Sequence, residues 1–129
     1  MPLSQSVGLR LASSAIATTC IAFGVNAILR PDHALTFFEF RPPSAREDKL
    51  IVDSLMAIYG VRDIFMGAAI LAASHLGTHS ALGWILIATS GVALADGLVC
   101  WNNGQGEWNH WGYALVAAVI GSLSLGIFD

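Results

Sequence analysis

Charge is what this chain has least of. Lys, Arg, Asp and Glu together make up 12% of its 129 residues, about half the share of an ordinary soluble domain. So few polar side chains cannot cover the surface of a water-soluble globule. There is no cationic field either. Six basic residues stand against nine acidic ones, which argues against nucleic acid as a partner. Cysteine is scarce: Cys20 and Cys100 both lie in apolar stretches, and two such thiols make neither a disulfide framework nor a zinc pattern. No Gly-rich nucleotide loop, haem motif or metal cluster is present, so no cofactor is expected. His75 and His79 have the four-residue spacing of metal ligands, but no third ligand accompanies them and no metal is expected. A disordered chain is excluded by its own requirement for low hydrophobicity. Here 55% of the residues are hydrophobic and the mean hydropathy is +0.65.

What is abundant is long apolar sequence. A helix needs about 20 mainly apolar residues to cross the hydrocarbon core of a bilayer. Four stretches qualify: residues 11–29, 50–73, 81–101 and 111–128. The expected fold is all-α, a four-helix transmembrane bundle in a single domain over residues 1–129, with the lipid bilayer as its surroundings. The first stretch is the most polar, carrying Ser13, Ser14, Thr18, Thr19 and Asn26. No small-x-small cleavage pattern follows it. Arg30-Pro31-Asp32 follows instead, so it is expected to stay as a span rather than leave as a signal peptide.

The connections carry further signals. Pro42-Pro43 breaks the chain, and Ser44 to Glu47 fits a capping box. A helix is therefore expected from near Ser44, entering the bilayer near Leu50, with Asp48 and Asp53 in its interfacial turns. Residues 33–40 are too short to span. Their Leu35, Phe37, Phe38 and Phe40 suggest an interfacial anchor, with a lid over a substrate site as the second reading. The first loop and its flanks hold Arg30, Arg41, Arg46 and Lys49, whereas the opposite side has only Arg10. Positive charge favours the cytoplasm, so residues 30–49 are expected there. In a eukaryotic cell the default membrane is the endoplasmic reticulum. Trp101, Trp108 and Trp111 fit an aromatic belt, or the wall of an aromatic pocket.

Alternating helices bring Asn26, Arg30, Asp53, Asp96 and His110 to one membrane face, with Arg62 and Asp63 nearer the middle. Each intramembrane charge costs about 2.5–3.5 kcal/mol on insertion scales and normally finds a partner inside the bundle. Helical side chains lean towards the helix start, so Arg62 is expected to reach Asp63 or Asp96. Tyr59, four residues before Asp63, has its hydroxyl available to that carboxylate. An Asp96–His110 pair would hold the imidazole in one tautomer as acid–base equipment, and the Arg would stabilise a developing oxyanion. Arg62, Asp63, Asp96 and His110 are thus the candidate catalytic residues. Asn26, Tyr59 and Trp111 are the candidate substrate-binding residues. Structural pairing between helices explains the same charges without catalysis. Small residues mark the expected helix seams: Ala114, Ala118, Ser122 and Gly126; Gly60 and Gly67; Ala93 and Gly97.

The run Tyr59-Gly60-Val61-Arg62-Asp63-Ile64-Phe65-Met66-Gly67, followed by Asp96 and by His110-Trp111-Gly112, resembles a family of small four-helix membrane proteins, common in fungi, that is classified only as a domain of unknown function. The resemblance spans nearly the whole chain and implies Arg62, Asp63, Asp96 and His110 as the positions to watch. It implies no reaction. Anthrone oxygenases and membrane cyclases of fungal pathways are similar in outline, and by that analogy the setting is specialised metabolism.

Three function classes follow. The first is a membrane enzyme performing proton transfer on a lipophilic small molecule, as an isomerase, cyclase or cofactor-free oxygenase. The second is a small proton-coupled carrier. The third is an accessory or assembly subunit without chemistry of its own. An enclosed pocket opening to one side favours the first, a path open to both sides the second, and no pocket the third. A homo-oligomer is compatible with all of them.

Overall fold

The computed structural model describes all residues, Met1–Asp129. The chain is all-helical, with α1 (Val7–Leu29), a short α2 (Pro31–Leu35), α3 (Arg46–Leu76), α4 (His79–Asn102) and α5 (Trp108–Ser124). Single 3-10 turns precede α1 and follow α2. Helices α1, α3 and α4 are long and apolar enough to cross a membrane. At 17 residues α5 measures about 26 Å by its rise, short of the roughly 30 Å hydrocarbon core. The expected four spans therefore become three of full length and one shorter apolar helix.

The helix ends follow local chemistry. Ser6 caps α1, its hydroxyl accepting from the Leu9 amide at 3.2 Å, and Pro31 ends it. Thr78 caps α4 in the same way, accepting from Ala81 at 3.1 Å. The capping box expected at Ser44 does not form. The residue before α3 is Ala45, which has no side-chain acceptor, and Ser44 lies one residue too early. Glu47 and Asp48 still occupy the first turn, where negative charge suits the helix dipole.

The bundle is two tight hairpins rather than four equivalent helices. Helix α1 lies along α3, and α4 along α5. A Cβ on Gly60 would sit 2.5 Å from the Gly24 carbonyl oxygen, and one on Gly67 would sit 2.5 Å from that of Ala17. These backbones touch, which only glycine permits. In the second hairpin a Cβ on Gly83 would lie 2.6 Å from Leu125 and 2.9 Å from the Gly121 carbonyl. Trp111 fills the space beside Gly97 with its indole and donates from Nε1 to the Leu94 carbonyl at 3.3 Å.

The seam on α5 differs from the expected one. Its buried residues are His110, Ala114, Ala117, Gly121 and Ser124; of the expected Ala114, Ala118, Ser122 and Gly126, only Ala114 is among them. Constant steps of four drift by about 40° per step around a helix of 3.6 residues per turn, whereas alternating steps of four and three stay on one face. Gly126 lies beyond the helix, at φ 77°.

Between the hairpins contact is sparse, and α1 and α5 meet over only a few residues. One end is closed by Ala17, Ile70, Ala73, Leu82 and Leu86. The other is closed by residues 31–40. That segment does not lie flat as an interfacial anchor; it turns inward. Ala34 and Leu35 are buried. Phe37 packs on Phe23 at 5.1 Å, and Phe38 meets Tyr59 at 5.3 Å and His110 at 4.5 Å between ring centroids. The α4–α5 loop and the first turn of α5 hold it there. Gln105 Nε2 donates to the Glu39 carbonyl at 2.8 Å and Asn109 Nδ2 to that of Phe37 at 3.0 Å. Gly106, at φ 88°, passes so close to the Phe38 carbonyl that a Cβ would lie 2.5 Å from it.

Candidate functional site

The gap between the hairpins is a cavity of about 420 Å³ with a mainly apolar wall, within the size range of small-molecule sites. Helix α1 contributes Ala12, Ala15, Ile16, Thr19, Cys20 and Phe23, an i, i+3, i+4 stripe. Helix α5 faces it with Asn109, His110, Tyr113, Val116, Ala117 and Ile120. The Thr19 and Thr89 hydroxyls donate to carbonyls of their own helices, both at 2.9 Å. The remaining polar side chains of the wall gather at one end of the cavity: Tyr59, Asp63, Asp96, Asn109 and His110.

Arg62 ties that end together. Its Nη1 and Nη2 donate to both oxygens of Asp96, at 3.2 and 2.8 Å, and Nη2 also reaches Asp63 Oδ1 at 3.3 Å. Where either carboxylate was expected as partner, both are engaged, and the bidentate bond goes to Asp96. The lean of the side chain towards the helix start delivers the long stem across to α4. The guanidinium also stands over the Tyr59 ring, 4.5 Å from its centroid, a cation–π contact. Arg62 is not part of the cavity wall and meets it through the two carboxylates. Tyr59 and Asp63 both line the cavity, but no hydrogen bond joins them.

His110 is 8% exposed, and its Nε2 is buried without a hydrogen-bond partner. The expected Asp96–His110 hydrogen bond is absent, because Asp96 is engaged end-on by Arg62. The imidazole packs instead against the Phe38 ring, inclined at 33° to it. Asp63 is also deeply buried, at 5% exposed, with the single long bond to Arg62.

Two candidate binding residues lie off the cavity. Asn26 pairs with His33 Nδ1 at 3.1 Å, and Trp111 is occupied in the α4–α5 seam. Asp53 is at the rim, bonded to Lys49 at 3.0 Å, and Lys49 also bonds Asp32 at 2.9 Å. His75 meets Ser14 at 3.3 Å, on the opposite end of the bundle. Sequence reasoning missed Cys20, Phe23, Phe37 and Tyr113 as cavity residues. On α1 the stripe is readable only as spacing, because the other faces of that helix are apolar too.

Residues 17–124 match the family described as a domain of unknown function (DUF4267). The match covers most of the chain, including every polar residue of the cavity, and the chain belongs to that family. Neither a curated protein nor a solved structure matches it.

Proposed function

We propose that this DUF4267 protein is a multi-pass membrane enzyme that performs proton transfer on a lipophilic small molecule. The observation that carries the reading is the cavity itself: mainly apolar along its length, with Phe37 of the 31–40 segment in its wall, and ending in Asp63, Asp96 and the unpartnered Nε2 of His110. An apolar ligand fits such a wall, and the acid–base groups meet whichever end of it reaches them. In this reading His110 takes a proton from a C–H or O–H of the bound molecule and returns it at another atom. Asp96, held by Arg62, keeps a fixed negative charge beside the imidazole that becomes protonated. Residues of the wall exclude water. Isomerisation, cyclisation and cofactor-free oxygenation all need such a proton transfer, and a step in specialised metabolism is the setting.

The four-to-one Lys and Arg bias supports a cytoplasmic position for residues 30–49, and in this reading α5 completes a fourth span. The endoplasmic reticulum is the proposed membrane in a eukaryotic cell. A cysteine replacing Ser44 should then label from the cytoplasmic side only.

The test of the function is metabolite profiling of cells lacking the gene. A defined lipophilic molecule should accumulate and disappear on complementation. No change in any lipophilic compound would shift the reading to a non-catalytic subunit.

A further inference from the structure

The polar end of the cavity carries more negative than positive charge. Two carboxylates share one guanidinium, and Asp96 takes both of its terminal nitrogens. Asp63, 5% exposed, keeps a single bond of 3.3 Å. In the wall of the same cavity, His110 Nε2 is buried with no partner at all. A buried carboxylate and a buried ring nitrogen left in this state are costly unless something fills the site. An alkyl ammonium supplies three N–H donors and no acceptor, and its charge balances the second carboxylate. An anionic head group would meet two like charges.

The rest of the cavity describes the body of that molecule. Its lining on α5 runs from His110 to Ile120, about 15 Å by the helical rise, and is apolar beyond the first turn. A volume of about 420 Å³ holds one slender chain or a small ring system, not a two-chain lipid. The cavity also opens sideways. Val116 and Tyr113 line it yet are 49% and 53% exposed, and Ala15 opposite them is exposed too. This opening between α1 and α5 faces the surroundings of the bundle, so a lipophilic molecule reaches the site from the bilayer without crossing water.

We infer that the ligand is a single-chain or small-ring lipophilic amine, lying along the α1–α5 opening with its ammonium on Asp63 beside His110. The inference rests on the proton-transfer reading for the site and adds the substrate class to it.

The experiment uses the full chain in phosphatidylcholine nanodiscs, with equilibrium binding of labelled dodecylamine, dodecanol and dodecanoic acid. The amine should bind more tightly than the alcohol by at least about tenfold, the gain of a charge-assisted hydrogen bond over a neutral one, and the acid most weakly. Asp63→Asn should bring the amine to the level of the alcohol. Val116→Trp, which narrows the opening and leaves every charge in place, should weaken all three. It also serves as the second variant if Asp63→Asn fails to fold. Equal binding of the three probes overturns the amine while leaving the proton-transfer reading intact, as does amine binding that survives in a folded Asp63→Asn protein. Displacement of dodecylamine by added phosphatidylethanolamine overturns the single-chain ligand in favour of a lipid head group. Binding of none of the three removes both readings.

Discussion

Asp63 and Asp96 both bond Arg62, yet their loss should have unequal consequences. The Arg62–Asp96 pair has two bonds, at 3.2 and 2.8 Å, between side chains 37% and 17% exposed. Breaking a fully buried ion pair costs about 3–5 kcal/mol, and an exposed pair is worth about 0–1 kcal/mol. With Arg62 over a third exposed and Asp63 still within reach, Asp96→Asn should cost about 2 kcal/mol, between those limits. Asp63 differs. Its side chain is 7% exposed and it has one 3.3 Å bond. Asparagine there gives up a weak bond but no longer buries an ion, so the net change should lie within about 1 kcal/mol of zero. The ratio of folded to unfolded protein should then differ between the variants by about tenfold. The assay is unfolding of the purified protein in mixed micelles by rising denaturing detergent, followed by far-UV circular dichroism. If Asp63→Asn were the more damaging change, or Asp96→Asn were neutral, the account of Arg62 as the bidentate partner of Asp96 would be wrong. This unequal cost also makes His110 a cleaner position than Asp96 for testing chemistry.

Other expectations follow from the packing and the cavity. Gly67→Leu should separate α1 from α3, because its first carbon already collides with the Ala17 carbonyl; a loss of about 3 kcal/mol or more is expected in the same unfolding assay, and a wild-type midpoint would refute the backbone contact. Cys20 lines the cavity while Cys100 is fully buried on α4, so a small lipophilic maleimide should modify Cys20 alone in the folded protein, and mass spectrometry showing both thiols modified equally would contradict the packing. At the other end of the chain, Asp129 accepts hydrogen bonds from the Ser4 amide and hydroxyl, which hold its carboxyl below the ordinary 3.8. That contact should be fully present above pH 3.8 and be lost as pH falls through the lowered value; a Ser4 amide resonance that shifts with a midpoint above 3.8 would count against it.

Much of this arrangement is legible in the sequence. The apolar stretches, the prolines and the short loops give three long helices and the shorter α5. The cost of charge in lipid gives Arg62 its carboxylate partners, and alternation of helix direction puts Asp96 and His110 at one end. The rest depends on three-dimensional competition. Asp96 had two suitors, and only the reach of the Arg62 stem decides that the guanidinium takes it and leaves His110 Nε2 free. The face of α5 that meets α4 was misread because that helix is apolar all round and its small residues recur at several spacings. The aromatic cluster at residues 37–40 reads as an anchor, since nothing local announces that Gln105 in the α4–α5 loop and Asn109 at the start of α5 will bond its carbonyls. The pairing into two hairpins, which leaves the cavity between them, follows from Gly60 and Gly67 meeting α1 and from Gly83 meeting Gly121. Each glycine is visible in sequence, but its partner is not.

In the proposed mechanism His110 performs chemistry on a lipophilic molecule within the bundle. This role is tested most directly by complementing cells that lack the gene with His110→Ala, at membrane levels matched to wild type. The lipophilic compound that accumulates in the deletion should persist, since losing a general acid–base group slows turnover by about 10²–10⁴-fold. Clearance of that compound at the wild-type rate by His110→Ala would contradict the claim.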